Sequence, residues 1–332
     1  MDIRDRERLM RLDAVVKRNY KIAQLYALYL ERCPEIITKE HIDELTAGGE
    51  ITKKEALVAL LSEIFGLDGE NSSEDRLLIR EYLTRSVRVL DAAEYTSDSY
   101  YKNVAPCEAV LGDWEIKWEY YPPYRAAICD DMIRDGDFTE VPPLGFFTEP
   151  FRFPAVLEGG NEWMTLTPVD TDTVKDAIKD AHGKVVTFGL GLGYYTYHVS
   201  EKESVESVTV VEKSEKVIKL FREYILPKFS HGYKVRIVNA DAFEYARDVM
   251  PKEKFDYAFV DTWRDASDGL PMYERMKELE VYSPNTRFSY WIENFILSRR
   301  QSLRYSELCE LIESGDADAP RSFDEFKRRL LD

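Results

Sequence analysis

Three glycines at alternate positions, Gly189, Gly191 and Gly193, end an apolar run that holds Val185, Val186 and Phe188. Glycine tolerates backbone angles and close approaches that a side chain forbids, so a ligand can lie against the main chain there. A helix expected from Tyr194 to about Glu201 turns its free N–H groups toward the same spot. This is the chemistry of a nucleotide-type pocket. Three acids follow, each at the end of a further apolar run. Glu212 ends Ser207–Val211 about 20 residues past the loop, where a ribose presents its hydroxyls. A carboxylate accepts two hydrogen bonds and suits a vicinal diol, but Glu212 also suits the start of a helix near Ser214. Asp241 follows the run Lys234–Val238 and can accept an adenine amine, with Ala242 or Phe243 nearby, or cap the next helix. Asp261 closes Phe255–Val260. Ligands of open α/β sheets bind outside the carboxyl ends of the strands, and all four features fall on that edge.

With these residues in place, the stretch from about 163 to 295 resembles a class I S-adenosylmethionine-dependent methyltransferase domain. The resemblance implies S-adenosyl-L-methionine as cofactor, its methionine and ribose part against Gly189, Leu190, Gly191 and Gly193. It further implies Glu212 on the ribose diol with Lys213 beside it, Asp241 and Ala242 flanking the adenine, and Asp261 at the nucleoside. Asp261 is also the best-placed base for an acceptor amine or hydroxyl. From position alone, Tyr194 and Tyr195 are expected at the sulfonium, and Trp263 and Asp265 at the acceptor. A nicotinamide dehydrogenase would need Gly-x-Gly-x-x-Gly, and the sixth position here is Tyr194. Many methyltransferases carry an acid two places before the first glycine, where this chain has Thr187. The aminopropyltransferases of polyamine synthesis, which share the fold, often lack it too. The segment Ala155–Trp163 resembles the hairpin before their nucleotide domain, and Asp261 matches their amine base. Their second aspartate, three residues on, is Arg264 here, with Asp265 one later. The expectation is therefore methyl transfer to a small acceptor. Two alternatives remain: a spermidine-synthase-like aminopropyltransferase, and a non-catalytic interaction protein on a methyltransferase fold.

The chain has 332 residues, with 45 Lys and Arg against 62 Asp and Glu, a formal net charge of −17. That length allows two domains. The negative balance disfavours a nucleic-acid substrate, because phosphate binding draws on clustered cations, and the short runs Arg299–Arg300 and Lys327–Arg329 read as helix faces. No run of 18 apolar residues occurs, so no membrane helix is expected, and the charged first residues do not resemble a signal peptide. Cys33, Cys107, Cys129 and Cys309 have no disulfide or metal spacing and are expected as cytoplasmic thiols. The four histidines, His41, His182, His198 and His231, form no metal pair, and His198 reads as a helix surface residue. No metal is expected, and oligomeric state is left open.

Around this core, residues 1–103 read as a helical domain. One helix is expected over 3–33, a second begins at Thr52 with Leu57, Leu60, Leu61 and Ile64 in a stripe, and a third begins at Ser72 or Ser73 and carries Ile79, Tyr82, Leu83, Val87 and Leu90. Residues 104–165 read as a β-rich segment that helps build the substrate pocket. Trp114–Tyr120 alternates bulky and charged residues, and Phe151–Leu157 before Gly159–Gly160 predicts a hairpin. Its aromatics, Trp114, Trp118, Tyr120, Tyr121, Tyr124, Phe146, Phe147 and Trp163, are candidates for pocket lining or ordinary core. Residues 166–332 are expected to form a Rossmann-like cofactor-binding domain, an α/β fold with a parallel sheet of order 3-2-1-4-5. Its fifth strand is expected over Arg287–Ile292, with helices around Glu293–Ser314 and Ser322–Leu331.

Overall fold

The computed structural model describes residues 1–104 and 108–331, so Cys107 lies outside the described residues. Its contacts divide the chain into two compact units that are discontinuous in sequence.

The unit that carries the glycine loop comprises Leu90–Tyr124 and Phe147–Glu293. Its centre is a five-stranded parallel sheet built from β1 (Gly183–Phe188), β2 (Val205–Glu212), β3 (Val235–Asn239), β4 (Tyr257–Val260) and β5 (Arg287–Tyr290), hydrogen-bonded in the order β3-β2-β1-β4-β5. β1 is central: Val186 faces Thr209 on one side and Ala258 on the other. A strand flanked and covered in this way reads as a continuous apolar run, and Val185, Val186 and Phe188 are fully buried. Four helices matter to the site: α1 (Tyr194–Glu201), α2 (Glu215–Leu220), α3 (Ala242–Asp248) and α4 (Ala266–Leu279). Helix α4 begins at Ala266 because Asp265 accepts from the N–H groups of Ser267 and Asp268. Pro271 lies in its second turn and lacks the N–H that would bond the Ser267 carbonyl, so the helix gives up one main-chain bond there.

In the same unit, an antiparallel sheet pairs Ala109–Leu111, Trp114–Tyr121, Phe151–Glu158 and Asn161–Thr165 in chain order. Gly159 and Gly160, at φ +58° and +81°, make the tight turn between the last two strands, a turn open to glycine and closed to most other residues. Tyr100, Phe151, Phe153, Val185, Val210 and Phe221 belong to one buried cluster, so both sheets share a core. The aromatics of this segment mostly serve it: Trp114, Phe147 and Tyr124 are buried, whereas Tyr120 faces solvent.

The other unit comprises Met1–Val89, Arg125–Phe146 and the chain from Asn294 on. Its long helix Ile3–Arg32 starts on Asp2, whose side chain accepts from the N–H of Asp5. Lys53–Ile64 starts on a reciprocal Thr52–Glu55 capping box. Leu12 packs with Leu308, Phe323, Phe326 and Leu330 of the helices Glu293–Ser314 and Phe323–Leu331. The final helices, expected with the parallel sheet, thus pack with the first one. The third helical stretch also differs. It ends at Ser86, and Val87–Leu90 is a strand of a three-stranded sheet with Leu144–Phe147 and Ala126–Ile128. Val87-Arg88-Val89-Leu90 is β-branched at alternate positions, and pairing with a neighbouring strand overrides the helical spacing of Val87 and Leu90.

Candidate functional site

The loop from β1 to α1 is built by glycines whose missing side chains are replaced by other parts of the chain. A Cβ on Gly189, at φ +101°, would stand 1.9 Å from the Asp261 carbonyl oxygen. One on Gly191, at φ +51°, would meet Met164 Sδ and Cε at 2.5 Å, and one on Gly193, at φ +78°, would meet the Phe221 ring at 2.4 Å. The expectation was that these glycines open space for a ligand. Each of the three also admits β4, Met164 or the Phe221 ring. Gly193 doubles as the N-cap of α1 in the left-handed conformation.

The main chain of the loop is held from several sides. The Leu190 N–H donates to Glu212 Oε2 at 3.3 Å, and the Leu192 N–H to Met164 Sδ at 3.1 Å. The buried Tyr100 hydroxyl donates to the Leu192 carbonyl at 2.6 Å. Glu212, buried at the end of β2, also accepts from the Ser214 N–H through Oε1 at 2.7 Å. Lys213 beside it is exposed, and its carbonyl accepts from Asn239 Nδ2. Asp241 caps α3, its Oδ1 accepting from the N–H groups of Phe243 and Glu244 at 2.9 and 3.1 Å. Ala242 is buried behind it.

Asp261 is half-buried at the end of β4, tied down by its N–H on the Phe188 carbonyl at 2.9 Å. Burial, then the nearby carboxylates of Asp170 and Glu212, push its pKa up to about 8. Burial pushes Asp170 up to about 6, against the opposing hydrogen bonds it accepts from the N–H and hydroxyl of Thr167, each 2.8 Å. Three carboxyl groups thus share one neighbourhood beside the loop. A cation entering there relieves their mutual repulsion, whereas an added anion raises it.

The other residues expected near the ligand have packing or hydrogen-bond partners within the chain. Tyr195 stacks on Phe259 at 4.2 Å between ring centres, and the Tyr194 hydroxyl donates to Asp98 at 3.3 Å. Trp263 is buried and stacks on Tyr290, and Asp265 is committed to capping α4. His198 is paired: its Nε2 lies 3.1 Å from Asp98 Oδ1. Met164, Asp170, Tyr100 and Asp98 were missed by sequence reading. For Asp170 a signal existed, since Thr167-Pro-Val-Asp170 fits a capping box. Met164 and Tyr100 carry no local mark, because their roles arise from contacts with residues 28 and 92 positions away.

A surface cleft of about 510 Å³ opens beside α2, lined by Glu215, Ile218, Lys219, Arg222, Glu223 and Asn239, and holds none of the loop residues. Among the described residues, no group of His, Cys, Asp and Glu is arranged to hold a metal ion, and no helix is long and apolar enough to cross a membrane. Cys33, Cys129 and Cys309 form no disulfide.

Residues 162–276 match the model of the spermine/spermidine synthase domain family. That span contains the glycine loop, Glu212, Asp241 and Asp261. The chain is also similar to the spermidine synthase of Thermotoga maritima, at 16% identity over 61% of this chain and 64% of that one, TM-score 0.32. It spans less than two thirds of that protein's length. A precorrin 8w decarboxylase of Methanobacterium thermoautotrophicum is similar at 17% identity over 40% of this chain and 63% of that one, TM-score 0.26. No curated protein matches the chain. The family match corrects the expectation drawn from the glycine loop: the polyamine branch of the fold is favoured, against methyl transfer and against S-adenosyl-L-methionine as cofactor. The glycine loop and the acid after the second strand do not separate the two branches, because both ligands carry the same adenosine.

Proposed function

We propose that the protein is an aminopropyltransferase that takes decarboxylated S-adenosylmethionine and a small amine. The observation that supports this best is the spermine/spermidine synthase match across residues 162–276. The site chemistry agrees. Decarboxylated S-adenosylmethionine is cationic at sulfonium and ammonium, and the amine is a cation in water. Both suit a neighbourhood that gathers the carboxyl groups of Asp261, Asp170 and Glu212. In this reading Gly189, Leu190, Gly191 and Gly193 meet the nucleoside, Glu212 with Lys213 lies at the ribose, and Asp241 with Ala242 lies at the adenine.

In the reaction the amine nitrogen attacks the methylene carbon attached to sulfur. A C–N bond forms, the C–S bond breaks, and its electron pair returns to sulfur, leaving neutral methylthioadenosine. The amine loses a proton to Asp261. Positioning supplies most of the acceleration. Bound cations lower the pKa of Asp261 from its raised value, which makes it a base once substrates are present.

The test is direct. The full chain, given decarboxylated S-adenosylmethionine and a panel of diamines and monoamines, should release methylthioadenosine with one of them. Binding of the nucleoside without any turnover overturns the enzyme reading. A second reading, a non-catalytic interaction protein, is favoured by one observation: Met164, Phe221 and the Asp261 carbonyl already occupy the space beside the three glycines. No thermal shift with either the carboxylated or the decarboxylated nucleoside would support it.

A further inference from the structure

We propose that Met164 sets which nucleoside the glycine loop accepts, by covering with a thioether the loop N–H that a ligand carboxylate would need. This rests on the aminopropyl-transfer reading above. The loop offers few open main-chain donors. The Gly189 N–H donates to the Val211 carbonyl at 2.9 Å, Leu190 to Glu212 at 3.3 Å, and Gly193 to the Leu190 carbonyl at 3.0 Å. The Leu192 N–H has Met164 Sδ at 3.1 Å. A thioether is a weak acceptor, so of these four bonded donors the Leu192 N–H is the one whose partner a stronger acceptor would replace. The same sulfur and its methyl fill the space at Gly191. Tyr100 anchors the next peptide through the Leu192 carbonyl, which holds the loop in register with Met164.

Carboxylated and decarboxylated S-adenosylmethionine differ by one anionic group. With Met164 in place, a carboxylate at the loop meets a thioether where it needs a donor, next to Glu212, Asp170 and Asp261. An anion buried without a donor is strongly disfavoured. The decarboxylated nucleoside has no carboxylate to satisfy, so its methylenes can lie against the thioether, a favourable apolar contact, while its ammonium suits the carboxylates nearby.

Titration calorimetry on the full chain with both nucleosides tests this. Wild type should prefer the decarboxylated form. Met164→Ala uncovers the Leu192 N–H, and the ratio of the two dissociation constants should narrow by about tenfold or more, as the carboxylate gains a donor. Met164→Leu keeps an apolar cover of similar volume and should leave the ratio within about twofold. Met164→Ser opens the same space and replaces the alanine variant should that one not fold, with circular dichroism as the check. An unmoved ratio in the opened variant, or an equal change in the leucine variant, overturns the role of Met164 alone. A wild type that binds neither nucleoside overturns the aminopropyl-transfer reading and this proposal together.

Discussion

The Asp261 carbonyl oxygen lies 1.9 Å from the point where a Cβ on Gly189 would stand. The residue that opens the loop and the residue proposed as base are thereby fixed to each other through β1 and β4. No side chain fits between them, and Gly189 holds φ +101°, a conformation that L residues rarely adopt. Gly189→Ala should therefore destabilise the protein by about 2–4 kcal/mol, from the combined strain and overlap. Denaturant unfolding measures the loss; an alanine variant as stable as wild type would mean the two strands part readily at this point.

Asp261→Asn keeps the shape and removes the base. Turnover should fall by about 10²–10⁴-fold with the nucleoside affinity held within a few-fold. Steady-state rates beside calorimetric dissociation constants check this. A variant that keeps more than about half the wild-type kcat would remove Asp261 from proton transfer.

The raised pKa of Asp261 also makes a statement about stability. In the unfolded chain the carboxyl loses its proton near the usual carboxylate range, but in the folded chain it holds it up to about 8. Between those values the folded state binds more protons, so stability falls as pH rises from about 4 to about 8. Asp170, raised to about 6, adds to the slope at its acidic end. Melting temperatures of Asp261→Asn should decline less than those of wild type across pH 5 to 8. Parallel profiles would contradict the burial of this carboxyl.

Glu212 serves the loop and, in the proposed complex, the ribose. Glu212→Ala removes the acceptor of the Leu190 and Ser214 N–H groups, so nucleoside binding should weaken by about 1–3 kcal/mol. Calorimetry resolves that change, and an unaltered dissociation constant would restrict Glu212 to holding the main chain.

In the other unit, the buried Glu140 joins Arg134 at 2.7 Å and Ser298 at 2.6 Å, while Arg134 also donates to Gln301 at 2.8 Å. Glu140→Ala strands the guanidinium and should cost about 2–3 kcal/mol. Arg134→Met with Glu140→Leu should recover much of that loss, because an apolar pair carries no desolvation penalty. Urea midpoints of the single and double variants decide it.

The sequence by itself determined the parts of this protein that are local. The apolar runs before Gly189, Glu212, Asp241 and Asp261 define four strands, since a covered parallel strand is written in contiguous residues. The helix Tyr194–Glu201 and the hairpin at Gly159–Gly160 were likewise legible from their own residues. Tertiary structure decided what fills the glycine loop and which charges gather there. Met164 reaches Leu192, and Asp170 comes near enough to Asp261 to raise it, across separations that no periodic pattern records. It also joined the first helix to the last two, because apolar stripes specify that a face must be covered and leave the covering partner to packing.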